Sequence, residues 1–109
     1  MDEKTQEKVR ELQLVEQNLQ QSLGQKQNFQ GKLMEVDNAL EELGKDPKEI
    51  YKIIGPIMVK AKKEEVEKDL GSKKEVYDLR VKNIEKNEEK IKEKAKILQE
   101  SIMKELKDE

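Results

Sequence analysis

The sequence predicts a mainly α-helical protein, in which two helices form an antiparallel coiled coil and a β-hairpin connects them. Two heptad stripes of nearly equal length indicate the helices, and a patch rich in β-branched residues between them indicates the hairpin. The composition agrees, since 44% of the 109 residues are charged, 33% are hydrophobic and only 3% are aromatic. Such a chain is expected to bury apolar surface along aliphatic stripes, without a large core of its own.

The first stripe predicts a helix over about residues 5–43. Its positions are spaced alternately by three and four residues, which is the pattern of a coiled-coil seam. Two polar residues, Ser22 and Lys26, interrupt it. Gly24 and Gly31 each cost about 1 kcal/mol relative to alanine inside a helix, so we expect this helix to be locally weak. The stripe comprises Leu12, Val15, Leu19, Ser22, Lys26, Phe29, Leu33, Val36, Leu40 and Leu43.

A break and a hairpin follow the first stripe. Gly44 suits the left-handed position after a helix C-terminus, and Pro47 prevents the helix from continuing. Residues 49–60 then read as two short strands around the turn Gly55-Pro56. Because an isolated two-stranded hairpin is marginal in water, we expect it to oligomerise with hairpins of other chains into a shared sheet or a shared β-barrel hub. The residues expected to mediate this oligomerisation are Ile50, Tyr51, Ile53, Ile54, Ile57, Met58 and Val59.

The second stripe predicts a helix over about residues 62–107. The arms on either side of the hairpin match in length, so the helices are expected to run antiparallel, with residue numbers at one level adding up to about 110. At 1.5 Å per residue this gives a coiled coil of about 60 Å. The stripe comprises Glu67, Leu70, Lys74, Tyr77, Val81, Ile84, Glu88, Ile91, Ala95, Leu98, Ile102 and Glu105.

The composition also excludes several classes of function. The sequence has neither cysteine nor histidine, which removes thiol and imidazole chemistry and the common zinc sites. It has no phosphate-binding motif, and its 23 basic residues against 25 acidic ones do not favour nucleic acid. We therefore expect no catalytic, cofactor or metal site, no nucleic-acid or membrane partner, and a cytoplasmic location.

The arrangement closely resembles a β-type subunit of the prefoldin family. The segment IYKIIGPIMVKAKKEEVEKDL at the junction carries the most specific likeness, in Tyr51-Lys52, Gly55-Pro56 and Met58-Val59, and LRVKNIEKNEEKIKEK follows it. The resemblance covers residues 1–109 as a single prefoldin-like domain. It implies a hexamer of two α-type and four β-type subunits. It further implies an ATP-independent holdase that captures unfolded polypeptides at the coiled-coil tips and delivers them to a group II chaperonin.

The resemblance places the tips in about residues 1–15 and 95–109, called here the tip segments. Apolar residues in these segments exceed what one narrow seam requires, and loosely held chain ends would expose them to a client. The alternative is a structural coiled-coil scaffold without client binding, in which the same residues widen the contact between the helices. The expected client-binding residues are Val9, Leu12, Leu14, Leu98, Ile102, Met103 and Leu106.

Overall fold

The computed structural model describes residues 2–108 and confirms the predicted fold class. Helix α1 spans Glu3–Gly44, strand β1 spans Tyr51–Ile54, strand β2 spans Ile57–Lys60 and helix α2 spans Lys63–Asp108. The two strands form an antiparallel hairpin between the helices. Each helix begins and ends within a few residues of the limits expected from the sequence. The outermost residues of the predicted tip segments, Met1 and Glu109, lie outside the described residues.

Capping residues determine where α1 begins and ends. The Thr5 amide donates to Asp2 Oδ1 at 2.8 Å, so Asp2 is the N-cap. The hydrogen bond from the Thr5 backbone lowers the pKa of the Asp2 carboxyl. At the other end the prediction for Gly44 is wrong, because the left-handed residue is Asp46, with φ of 53°. Aspartate tolerates this conformation. Helix α1 ends at Gly44, and the left-handed residue follows two positions later.

The hairpin has an unambiguous register. Tyr51 pairs with Lys60, and Ile54 pairs with Ile57 beside the turn. Gly55 has φ of 57° and precedes a proline, as in a type II′ turn with glycine first. Lys52 contacts α2 through an ion pair with Asp69 at 2.9 Å, which connects β1 to that helix.

The contacts divide the chain into two compact units, and each helix contributes to both. The hairpin unit comprises residues 28–81 and the terminal unit comprises residues 2–27 and 82–108. In the hairpin unit, the rings of Phe29 and Tyr77 lie 5.9 Å apart between centroids, with Lys32 Nζ within 5.4 and 5.6 Å of the two centroids. Val36, Leu43 and Val81 are the buried aliphatic residues of this unit, and Val15, Leu98 and Ile102 are those of the terminal unit.

The heptad prediction is confirmed within each unit. Every position of the first stripe is buried or half-buried, and so is every position of the second except Glu67. The helices pair antiparallel in the expected register, with Thr5 opposite Glu105 in the terminal unit and Phe29 opposite Tyr77 in the hairpin unit. The seam also extends beyond its predicted start at Leu12, through Lys8 to the fully buried Thr5.

Candidate functional site

The hairpin exposes the apolar residues that were expected to mediate oligomerisation. Ile53 is 74% exposed, although it is a large β-branched residue in a strand. The other residues of this set are also exposed, apart from the half-buried Ile50. A group of large apolar residues exposed on one short hairpin marks an interaction site. The exposed members are Tyr51, Ile53, Ile54, Ile57, Met58 and Val59.

The strand pairing separates the hairpin side chains onto two faces. Alternation along each strand places Lys52 and Val59 together on one face, and Ile53 and Met58 on the other. The hydrogen bond and charge of Asp69 raise the pKa of Lys52, and Lys52 lowers the pKa of Asp69 in turn. This ion pair holds one face toward α2, whereas both strand edges within the described residues lack a further strand.

A groove in the hairpin unit runs between β1 and the helices. Tyr51 and Ile53 line it from the strand, and Ala39, Val66 and Leu70 line it from the helices. The rest of its lining is polar and comprises Lys52, Asp69, Ser72 and Lys73, of which Lys52 and Asp69 form the ion pair described above. The groove thus extends the apolar surface of the hairpin.

The predicted client-binding residues fall into three groups in the terminal unit. Leu98 and Ile102 are buried in the seam, and Val9 and Leu12 are half-buried. Leu14, Met103 and Leu106 are exposed. The structure therefore makes only the last group available to a partner while the seam is closed.

Sequence reasoning missed one exposed residue of the terminal unit, Ile97. Leu14 and Ile97 each lie three residues after a member of the Glu11–Lys94 ion pair, whose atoms are 3.4 Å apart. Residues three apart are neighbours on a helix surface, so Leu14 and Ile97 flank this ion pair. The sequence did contain a signal for Ile97. It is an apolar residue outside the stripe, and it lies three positions after Lys94, a charged residue that faces the other helix.

A second exposed patch lies on another face of α2. Met103 and Leu106 are three residues apart and therefore adjacent. Ile97 is nine residues before Leu106, which at 3.6 residues per turn places it on the opposite side of the helix. The terminal unit thus exposes apolar side chains in two places. Leu14 and Ile97 lie on either side of the Glu11–Lys94 ion pair, and Met103 and Leu106 are neighbours on α2. We call these the Leu14–Ile97 patch and the Met103–Leu106 patch.

Four polar residues close the outermost described level of the seam, and we call them the terminal polar cluster: Thr5, Lys8, Ser101 and Glu105. Thr5 Oγ1 donates to Glu105 Oε2 at 2.6 Å. Lys8 Nζ donates to Ser101 Oγ at 2.7 Å and forms an ion pair with Glu105. Hydrogen bonds from Lys8, and then from Thr5, lower the pKa of the Glu105 carboxyl. The apolar pattern of the sequence does not indicate this cluster, because all four of its members are polar.

An ion pair occupies the interior of the terminal unit. Lys26 Nζ lies 3.0 Å from Glu88 Oε2, and their side chains are 20% and 6% exposed. The other carboxylate oxygen, Glu88 Oε1, is buried without a hydrogen-bond partner. The polar residue that interrupts the first stripe thus pairs with one that interrupts the second.

Among residues 2–108 no three carboxylates converge in a way that would hold a metal ion. No helix in this part of the chain is long and apolar enough to cross a membrane. The site is a set of apolar surfaces and ion pairs, suited to binding other polypeptides.

Comparisons with known proteins agree on one family. The family model described as prefoldin subunit matches residues 6–109. The prefoldin subunit beta of Archaeoglobus fulgidus is 42% identical over 88 residues, which cover 79% of this chain and 76% of that protein. The corresponding subunit of Pyrococcus furiosus is 38% identical over 94 residues, covering 84% and 80%. The crystal structure of the prefoldin beta subunit from Thermococcus strain KS-1 superposes with a TM-score of 0.89 at 32% identity, covering 96% of this chain and 94% of that one.

Proposed function

Since this chain belongs to the prefoldin family and is a β-type subunit of that chaperone, we propose that it is an ATP-independent holdase subunit. It captures unfolded polypeptides at its helix ends and delivers them to a group II chaperonin. The observation that carries this proposal is the exposure of large apolar side chains on both helices of the terminal unit, outside the seam. Met103, for example, is 68% exposed.

Assembly with other prefoldin subunits is the first requirement of this function. We propose a hexamer of two α-type and four β-type subunits, in which the hairpins form a shared β-barrel hub. The exposed residues of β1 and β2 support this, because a sheet with apolar faces and free edges is completed most simply by further strands. Burying residues such as Ile53 and Met58 between subunits would remove them from water.

Client capture is the second requirement, and it needs many weak contacts. Each terminal unit offers two small apolar patches, and neither is a deep pocket. When several subunits contact one unfolded chain, the later contacts become intramolecular and retention increases without any strong single site. Met103 adds a flexible, polarisable side chain that adapts to different sequences.

Release follows from competition, because contacts that are individually weak can be exchanged one at a time for those of another surface. We propose that a group II chaperonin supplies that surface, in the cytoplasm. The subunit itself catalyses no reaction in this scheme.

Truncation of the tip segments tests the proposal. Hexamers are assembled with an α-type partner from the full chain and from a chain lacking residues 1–11 and 99–109. Light scattering then follows aggregation of a denatured, unrelated protein without ATP. We expect suppression by the full chain and much weaker suppression after truncation, because truncation removes Met103 and Leu106 but leaves Leu14 and Ile97. The native mass should show that the six-subunit composition is retained. Undiminished suppression after truncation would locate the binding surface elsewhere, and no suppression by the intact hexamer would favour the scaffold.

A further inference from the structure

We propose that the terminal polar cluster is a clasp that controls how much of the apolar seam is available to a client. This inference rests on the proposed capture of clients at the helix ends and concerns the regulation of that same surface. The cluster joins the two helices at the outermost described level of the seam, with Thr5 and Lys8 on α1 and Ser101 and Glu105 on α2.

The geometry of the cluster is that of a closed and specific contact. Thr5 is fully buried although it lies two residues after the first residue of α1. Its hydroxyl donates to one oxygen of Glu105, and Lys8 pairs with the other oxygen. Lys8 also donates to Ser101, so each member bonds across to the opposite helix.

The apolar residues next to the cluster are the buried ones. Ile102 lies one residue after Ser101, and Leu98 precedes Ile102 by one helical turn in the seam. If the clasp opens, the helix ends separate there first, and Ile102 and then Leu98 become exposed. Both belong to the client-binding set predicted from the sequence, and both are inaccessible while the clasp is closed.

A polar layer suits a contact that must open. Hydrogen bonds between protein groups exchange for hydrogen bonds to water with a small net change in free energy, whereas exposing an apolar layer carries the full cost of hydration. The side chains of Lys8 and Glu105 are about one-third exposed, so water already reaches them. Hydrogen bonds from Lys8 and Thr5 lower the pKa of Glu105, so these contacts favour the ionised carboxylate that accepts them.

The Leu14–Ile97 and Met103–Leu106 patches do not depend on the clasp, because they are exposed in the closed state. Client binding accordingly has two components. The two patches are always exposed and can bind client at any time. The seam residues Leu98 and Ile102 can bind client only after the clasp has opened.

The double substitution Thr5→Val and Lys8→Met tests the clasp in the assembled hexamer. Valine keeps the branched shape without the donor, and methionine keeps the stem without the charge. Leaving Glu105 without its partners is expected to raise amide exchange in residues 98–106 roughly five- to a hundredfold, with exchange in residues 74–84 unchanged. At subsaturating chaperone, more client should be captured than by the wild type. Lys45→Met is the matched control, since it removes one charge and an exposed ion pair with Glu42 in the hairpin unit.

Glu105→Gln is the second variant, and it tests the clasp if the double variant does not assemble. It keeps the shape of the side chain and weakens the same contacts, so a smaller change in the same direction is expected. If amide exchange is unchanged in both variants, or if exchange is faster but client capture is unchanged or lower, the clasp is overturned. Capture of client by the wild type would in that case still support the proposed function. Absence of capture by the wild type and all variants would instead refute the proposed function, and the gating with it.

Discussion

Removing the charge of Lys26 should destabilise the protein strongly, because it leaves Glu88 buried and uncompensated. In Lys26→Met the aliphatic stem is retained and only the ammonium group is lost. Breaking a buried ion pair in this way costs about 3–5 kcal/mol. Lys26 is 20% exposed and therefore partly hydrated, which reduces the expected cost to about 2–3 kcal/mol. For a domain of this size that corresponds to a fall of roughly 10 °C or more in the melting temperature.

Replacing both partners should have the opposite effect. In the double substitution Lys26→Leu and Glu88→Leu, the seam gains an apolar layer and loses the carboxylate oxygen that has no hydrogen-bond partner. Exchanging a buried pair for apolar residues of similar volume is neutral or stabilising by about 1–4 kcal/mol. The single substitution is therefore expected to destabilise the protein and the double substitution is not, a contrast that an exposed ion pair would not produce.

Thermal unfolding of the assembled hexamer, followed by circular dichroism at fixed subunit concentration, provides the assay. Lys45→Met serves as the control, because its ion pair with Glu42 is exposed and should contribute less than about 1 kcal/mol. A melting temperature unchanged by Lys26→Met would show that the ion pair does not compensate a buried charge. A double variant as unstable as the single one would show the same.

Three further predictions concern the hairpin, the seam and pH. Ile53→Asp should dissociate the hexamer, because it places a charge where strands are proposed to pack, whereas Ile53→Val should not. An unchanged native mass for the aspartate variant would show that the hairpin does not mediate assembly. Leu98→Ala should lower the free energy of unfolding by about 2–5 kcal/mol in denaturant titration, and Leu14→Ala by less than about 0.5 kcal/mol, and equal effects would contradict the assigned seam. Because the pKa of Glu105 is lowered in the folded state, its contribution is present above its unfolded value near 4.5 and is lost as pH falls through the lowered value. Glu105→Gln should therefore flatten the acid limb of a stability–pH curve, and an identical limb would show that the carboxylate adds nothing.

The seam was predictable from the sequence because its apolar residues have few alternatives. Residues spaced by three and four positions, from Leu12 to Leu43, share one helix face and must bury it. The same reasoning did not reach Thr5 and Lys8, which occupy the next positions of the same spacing but are polar. Their burial depends on the partners across the seam, and periodicity along one helix carries no information about those.

The pairing of Lys26 with Glu88 was also not predictable from the sequence. Each of these residues interrupts the apolar pattern of its own stripe. In addition, residue numbers adding up to about 110 would place Lys26 opposite Ile84, one turn before Glu88 in α2. Long side chains cover that difference, so complementary charges meet although the backbone levels differ. The position of the left-handed residue at Asp46, not at Gly44, depended similarly on which backbone amides close the last turn of α1.

The client-binding set was predicted as one group, and the structure divides it. Leu98 and Ile102 already fall on the second stripe, so their burial follows from the heptad pattern. Leu14 and Met103 lie off their stripes and are exposed. Ile97 was missed because its neighbour Leu98 satisfied the stripe.

Site-specific photo-crosslinking tests most directly the central claim, that the helix ends hold unfolded polypeptide. A photoreactive amino acid is introduced at Met103 in one hexamer and at Lys86, an exposed position in the same unit but away from its end, in another. Each hexamer is irradiated with the same denatured client and, separately, with that client in its native state. We expect crosslinks from position 103 to the denatured client alone, and few from position 86. Equal crosslinking from both positions, or none from position 103 in an assembled hexamer, would contradict that claim.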